Sequence, residues 1–128
     1  MKRPFELRAR IRSFTHAGRG IWLTLVSQHN AWIHAIATLV VVLAGYLLGI
    51  SRIEWCLIVW ACAAVWTAEA LNTAVELLAD ATTREHHPLI GQAKDVAAGA
   101  VLITAVAALI TSALVFGPYL LVGLHVTR

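Results

Sequence analysis

The sequence predicts an all-α membrane protein: an N-terminal amphipathic surface helix followed by three transmembrane helices. Two observations carry this. Of 128 residues, 59% are hydrophobic and only 13% are charged, and the mean hydropathy is +0.75. A water-soluble domain of this size needs a far larger charged surface. The apolar residues also fall in long blocks of about bilayer-spanning length, so most of that surface must face lipid. The length suits one domain covering residues 1–128. No short apolar stretch with a small-residue cleavage site follows the basic N-terminus, so no secretory signal peptide is expected. Cys56 and Cys62 lie inside an apolar run without C-x-x-C spacing, and read as small buried hydrophobes rather than zinc ligands.

Residues 1–30 are basic and mixed. Leu7, Ile11 and Phe14 follow helical spacing, as do Arg8 and Arg12, and a second apolar group follows at Ile21, Trp22, Leu25 and Val26. The pattern predicts a helix lying on the membrane surface; a floppy basic tail is the competing reading. The first spanning helix is predicted over 31–50, with no formal charge apart from one His34 can carry. Gly49 and Ser51 mark a tight turn. The second spanning helix, 52–81, opens with a capping box, because Ser51 and Glu54 stand three apart. It is long enough to cross the bilayer and project beyond it, and Trp55 suits an interfacial belt. Residues 82–91 read as a polar loop, with Pro88 and Gly91 breaking the helical pattern. The third spanning helix is predicted over 92–116. It is lined with small residues that favour close helix packing, and Gly117-Pro118 is expected to end it. Placing the N-terminus and the loop after the second helix in the cytoplasm puts Lys2, Arg3, Arg8, Arg10, Arg12, Arg19, Arg84 and Lys94 inside. Only Arg52 and Arg128 remain outside, a strong bias under the positive-inside rule.

The second spanning helix carries Glu69, Asn72, Glu76 and Asp80 at spacings of three, four and four. At about 100° per residue these four share one stripe. Fourteen uncharged residues precede Glu69, which places it near or within the bilayer boundary. A carboxylate there costs roughly 2.5–3.5 kcal/mol, so it needs a partner cation, a metal or a water-filled site. The plainer alternative is a packed interface held by hydrogen bonds, and for Asp80 a solvated helix end. Lys94 and Asp95 follow the loop. A short antiparallel connection folds them back beside Glu76 and Asp80. Carboxylates, an amide and a lysine suit magnesium and phosphate. Phosphoryl transfer asks mainly for positioning, charge neutralisation and one base. No Walker A sequence is present.

Three segments carry a resemblance: Glu69-Ala-Leu-Asn72-Thr73-Ala-Val-Glu76, the loop Glu85-His86-His87-Pro88-Leu89, and Ala93-Lys94-Asp95-Val96-Ala97-Ala98-Gly99-Ala100-Val101. Asn30-Ala31-Trp32-Ile33-His34 adds to it. Over about residues 14–116 the chain resembles the small bacterial membrane-integral diacylglycerol kinases and their undecaprenol kinase relatives, with the loop and third helix closer to the undecaprenol branch. The resemblance implies a multi-pass homotrimer in the bacterial cytoplasmic (inner) membrane, with the N-terminus cytoplasmic. It implies active sites at the membrane–cytoplasm boundary, shared between subunits. ATP and a membrane lipid alcohol would be the substrates, with Mg2+, and no nucleic-acid partner is expected. Glu69 would be the general base for the lipid hydroxyl, and Asn72 would position the reacting groups, both touching the substrate. Glu76 would bind magnesium associated with ATP. Lys94 and Asp95 would contact the nucleotide, and Glu85 and His87 would touch it from the loop. The family often carries a metal-ligating glutamate where this chain has Gln28, whose amide oxygen can ligate magnesium but brings no negative charge. Asn30 and His34 match the pattern without an assigned role. Two other readings stay open: a small oligomeric cation channel or transporter, since intramembrane carboxylates also mark ion paths, and an assembly protein whose stripe only pairs helices.

Overall fold

The computed structural model describes residues 7–82 and 87–126, and these contain helices and no strand. Four helices follow in order: α1 (Leu7–Ser27), α2 (His29–Leu48), α3 (Arg52–Thr82) and α4 (Pro88–Val126). The last three are each long and apolar enough to cross a membrane. The predicted fold class is therefore the observed one.

α1 is exposed from Arg10 to Leu23, and burial begins only at Thr24. Its apolar and basic residues thus face outward from the bundle, as a helix resting on a membrane surface requires. One residue joins it to α2. Gln28 adopts an extended backbone (φ −113°, ψ 124°), and its side chain makes no cap hydrogen bond. That leaves the Gln28 amide free to reach α3.

The α2–α3 turn follows its sequence signals. Gly49 takes the left-handed conformation (φ 63°, ψ 42°) and its N–H returns to the Gly45 carbonyl, which a residue with a Cβ does only under strain. Ser51 N–H donates to Glu54 Oε2 at 2.7 Å, and Glu54 N–H donates to Ser51 Oγ at 3.3 Å. This is the predicted capping box. Next to it lies the apolar core of Ile50, Ile58, Val115 and Phe116, with Trp55 and Tyr119 packed against it. Trp55 also meets Tyr46 edge to face, centroids 5.3 Å apart.

Gly45 is what lets Trp55 lie so close. A Cβ there would stand 2.8 Å from Trp55 Cη2, 2.9 Å from Cζ2 and 3.1 Å from Ile50 Cδ1. Gly45→Ala is therefore expected to push the indole off the core and destabilise the chain by about 1–3 kcal/mol. Thermal unfolding in detergent measures this as a lower Tm; an unchanged Tm would show that the indole repacks freely.

α4 departs from expectation at both ends. It begins at Pro88 rather than 92, and runs through Pro118 to Val126 rather than stopping at 116. Pro88 opens the helix, because proline at the first helical position forfeits only an N–H that has no partner there. The His87 carbonyl accepts from Ile90 at 3.0 Å and Gly91 at 3.1 Å. Gly91 thus sits in the first turn instead of breaking the helix. Pro118 removes one backbone hydrogen bond, but in an apolar setting the remaining backbone groups are satisfied only by staying helical. Tyr119 anchors the continuation: its hydroxyl donates to Glu54 Oε2 at 2.8 Å.

α3 and α4 form the most extensive helix pair, and α2 touches both. The core gathers where α2 turns into α3. The acidic stripe lies toward the opposite end of α3.

Candidate active site

Burial along the α3 stripe falls in order. Glu69 is 0% and Asn72 5% exposed, Glu76 is half-buried, and Asp80 is exposed. The three inner residues line a cavity of about 280 Å3 with Asn30 and His34 of α2 and Val101 of α4. α3 supplies the acids, α2 one wall and α4 the other.

Neither carboxylate oxygen of Glu69 makes a hydrogen bond with a described residue. His34 Nε2 lies 3.8 Å from Glu69 Oε2, close enough for charge attraction but beyond hydrogen-bond reach. Thr73 bonds back to the Glu69 carbonyl at 2.9 Å and leaves the carboxylate alone. A buried carboxylate without donors is costly. Such unsatisfied atoms concentrate where a further group binds or reacts.

Glu76 is a hub. Its Oε1 accepts from Asn72 Nδ2 at 3.2 Å, and its Oε2 accepts from Gln28 Nε2. Asn72 Oδ1 is buried and makes no hydrogen bond with a described residue. The junction residue Gln28, expected as a metal ligand, is thus tied to the other expected ligand. Lys94, about two turns into α4, reaches Asp80 at 2.9 Å and lies within electrostatic range of Glu76. The Lys94 and Asp80 side chains are 39% and 70% exposed. A pair so open to solvent is weak, and its lysine exchanges readily onto another anion.

Not every expected residue joins this group. Asp95 is exposed and makes no side-chain hydrogen bond with a described residue. His87 is exposed and contributes its carbonyl to the start of α4. Glu85 lies outside the described residues. Among the described residues, no group of three or more His, Cys, Asp or Glu side chains forms a metal cage. Oxygen donors here would have to include the amides of Gln28 and Asn72. The approach of His34 to Glu69 had no assigned role from sequence, although its position one turn into the first spanning helix was visible.

The family model for prokaryotic diacylglycerol kinase matches residues 15–116, which span every member of this cluster. The chain belongs to that family.

The kinase is similar to "Undecaprenol kinase" of Bacillus subtilis (strain 168), 44% identical over 115 residues, covering 90% of this chain and 94% of the relative. "Diacylglycerol kinase" of Escherichia coli (strain K12) is 34% identical over 101 residues, covering 79% and 83%. "Diacylglycerol kinase" of Helicobacter pylori (strain ATCC 700392 / 26695) is 31% identical over 125 residues, covering 91% and 94%. Lipid kinases on both sides of the family thus align with nearly the whole fold. This enzyme is a membrane protein of the lipid kinase class.

Proposed function

We propose that the chain transfers the γ-phosphoryl group of ATP to the hydroxyl of a membrane lipid alcohol at the membrane–cytoplasm interface. One observation carries this: a wholly buried Glu69 carboxylate, with no hydrogen bond from a described residue, lies deeper along α3 than the Asn72–Glu76–Gln28 cluster and the half-exposed Lys94. The base sits on the lipid side and the anion-handling groups on the water side, as the meeting of a lipid and a nucleotide requires.

Glu69 takes the proton of the lipid hydroxyl as its oxygen bonds to the γ-phosphorus. The bond from that phosphorus to the β-bridging oxygen breaks, and ADP leaves. Asn72, in the wall of the same cavity, helps to position the reacting groups. Lys94 shifts from Asp80 to the phosphoryl oxygens. Glu76, with the Gln28 and Asn72 amide oxygens, would hold magnesium. These are the hard oxygen donors that ion prefers, and Asn72 Oδ1, which makes no hydrogen bond with a described residue, fits such a role. When bound, magnesium neutralises phosphate charge. Asp95, His87 and Glu85 complete the nucleotide side in this reading.

We infer the same cytoplasmic orientation of the N-terminus and the 82–87 connection that the positive charges favour, and a homotrimer in the inner membrane, with sites completed between subunits. An ion path is disfavoured because the polar stripe stops at Glu69: toward the start of α3, Val65 and Ile58 are buried and apolar.

Lys94→Ala tests the nucleotide side. Loss of a charge-assisted phosphate contact should raise the apparent KM for ATP about tenfold or more, with the KM for lipid unchanged. Steady-state kinetics in mixed micelles reads both; an unchanged ATP KM removes Lys94 from the phosphates.

A further inference from the structure

Among the described residues, the side chains in the wall of the acidic cavity that can carry a proton are Glu69, Glu76 and His34. Glu76 has both oxygens engaged by the amides of Gln28 and Asn72. α4 faces the cavity with Ala98, Val101, Leu102 and Ala105, none of which titrates. His34 comes from α2, and its Nε2 lies 3.8 Å from Glu69 Oε2. The His34 side chain is 15% exposed, against 1% for that of Glu69. Asn30, one turn nearer the start of α2, stands in the same wall and is exposed. Residues four apart share a helix face. Polar groups therefore run in file from the buried base, through His34, to the α1–α2 junction.

A base enclosed this fully must be reset after each turnover. Once it has taken the proton of the lipid hydroxyl it is a neutral carboxylic acid, and the next turnover needs the carboxylate back. Imidazole is the side chain that ordinarily gains and loses a proton near neutral pH. Resting on the lipid kinase reading above, we propose that His34 is the proton exit for Glu69: it draws off the proton taken from the lipid and passes it to water at the α1–α2 junction. The steps balance. The lipid O–H proton moves to Glu69 Oε2 as the hydroxyl oxygen bonds to phosphorus. Neutral His34, carrying its hydrogen on Nδ1, accepts that proton at Nε2 and becomes imidazolium, and Glu69 is again a carboxylate. The imidazolium then gives up a proton to water beside Asn30, whose amide binds water without titrating. The 3.8 Å separation is of the kind that tightens into a hydrogen bond once substrate is bound. His34 acts through Glu69 and not on the lipid itself.

Chemical rescue of full-length His34→Ala protein in mixed micelles tests this, with ATP, magnesium and either undecaprenol or dioleoylglycerol, whichever the wild type phosphorylates faster. The kcat should fall about tenfold or more, a fraction of what the base itself supplies, with the KM for ATP and for lipid unchanged. Added imidazole should restore kcat several-fold and saturably, because it fills the vacated space and takes up the proton. Pyrazole has the same size and shape but is a far weaker base, and should restore nothing. Equal rescue by pyrazole would make His34 a space filler and overturn the proposal, as would undiminished turnover or the absence of rescue by imidazole. Imidazole should not revive Glu69→Gln, where the base is missing; revival there would show that imidazole acts on the lipid directly, and would also overturn it. His34→Gln keeps bulk and polarity but takes no proton, so its kcat should fall in the same way. It decides the matter if His34→Ala does not fold. Should the wild-type chain phosphorylate neither lipid, the kinase reading itself falls. An active wild type with full turnover in His34→Gln removes the proton exit alone.

Discussion

Glu69→Gln is expected to lower turnover of lipid phosphorylation by about 10²–10⁴-fold, the usual contribution of a positioned general base. The amide fills the same volume but cannot take a proton. The KM for ATP should hardly move, since Glu69 lies deeper along α3 than Glu76 and Lys94. Stability provides a separate readout. The Glu69 carboxylate is fully buried and accepts no hydrogen bond from a described residue, so neutralising it removes a desolvation cost. The variant should unfold at the same temperature or higher, with the proposed homotrimer intact. A variant that falls apart in detergent would give Glu69 an assembly role instead. A variant that keeps full turnover would remove it from the chemistry.

Glu76→Ala carries the second large effect, by a different route. Glu76 receives the amides of Gln28 and Asn72, and so joins the α1–α2 junction to the C-terminal part of α3. Its removal takes away the one acidic group in that trio and leaves both amides without their acceptor. Loss of a preorganised charge of this kind costs about 10²–10³-fold in kcat. Here the deficit should shrink as magnesium is raised, because the remaining amide oxygens of the proposed site would ligate without charge. A magnesium titration of wild type and variant checks this. An identical magnesium midpoint in both would mean that Glu76 orients Gln28 and Asn72 without holding the ion.

Much of this architecture was legible in the sequence, for physical reasons that differ by element. The spans were readable because a bilayer demands uncharged stretches of fixed length. The α2–α3 turn was readable because Gly49 and the Ser51–Glu54 spacing each serve a local backbone need, and the turn forms as they predict. The acidic stripe was readable from periodicity, and Lys94 folds back to Asp80 as a short antiparallel connection requires. The limits of α4 were not readable. Proline reads as a breaker, yet Pro88 occupies a position where its missing N–H costs nothing. Beyond Pro118 the helix is held by Tyr119 and Glu54, 65 residues apart. Contacts of that range leave no local signal. The approach of His34 to Glu69 was hidden for the same reason, since it depends on how α2 is set against α3. Gln28 was noticed for its chemistry, but its bond to Glu76 spans 48 residues and only the packed chain reveals it.

In the proposed reaction a buried carboxylate and a polar cluster on α3 join a lipid alcohol to a magnesium nucleotide. Incubating the purified chain in mixed micelles with γ-labelled ATP, magnesium and a panel of lipid alcohols tests it most directly. Magnesium-dependent label in a lipid phosphate, abolished by Glu69→Gln, is the expected result. A folded, assembled chain that labels no lipid in the panel would contradict it.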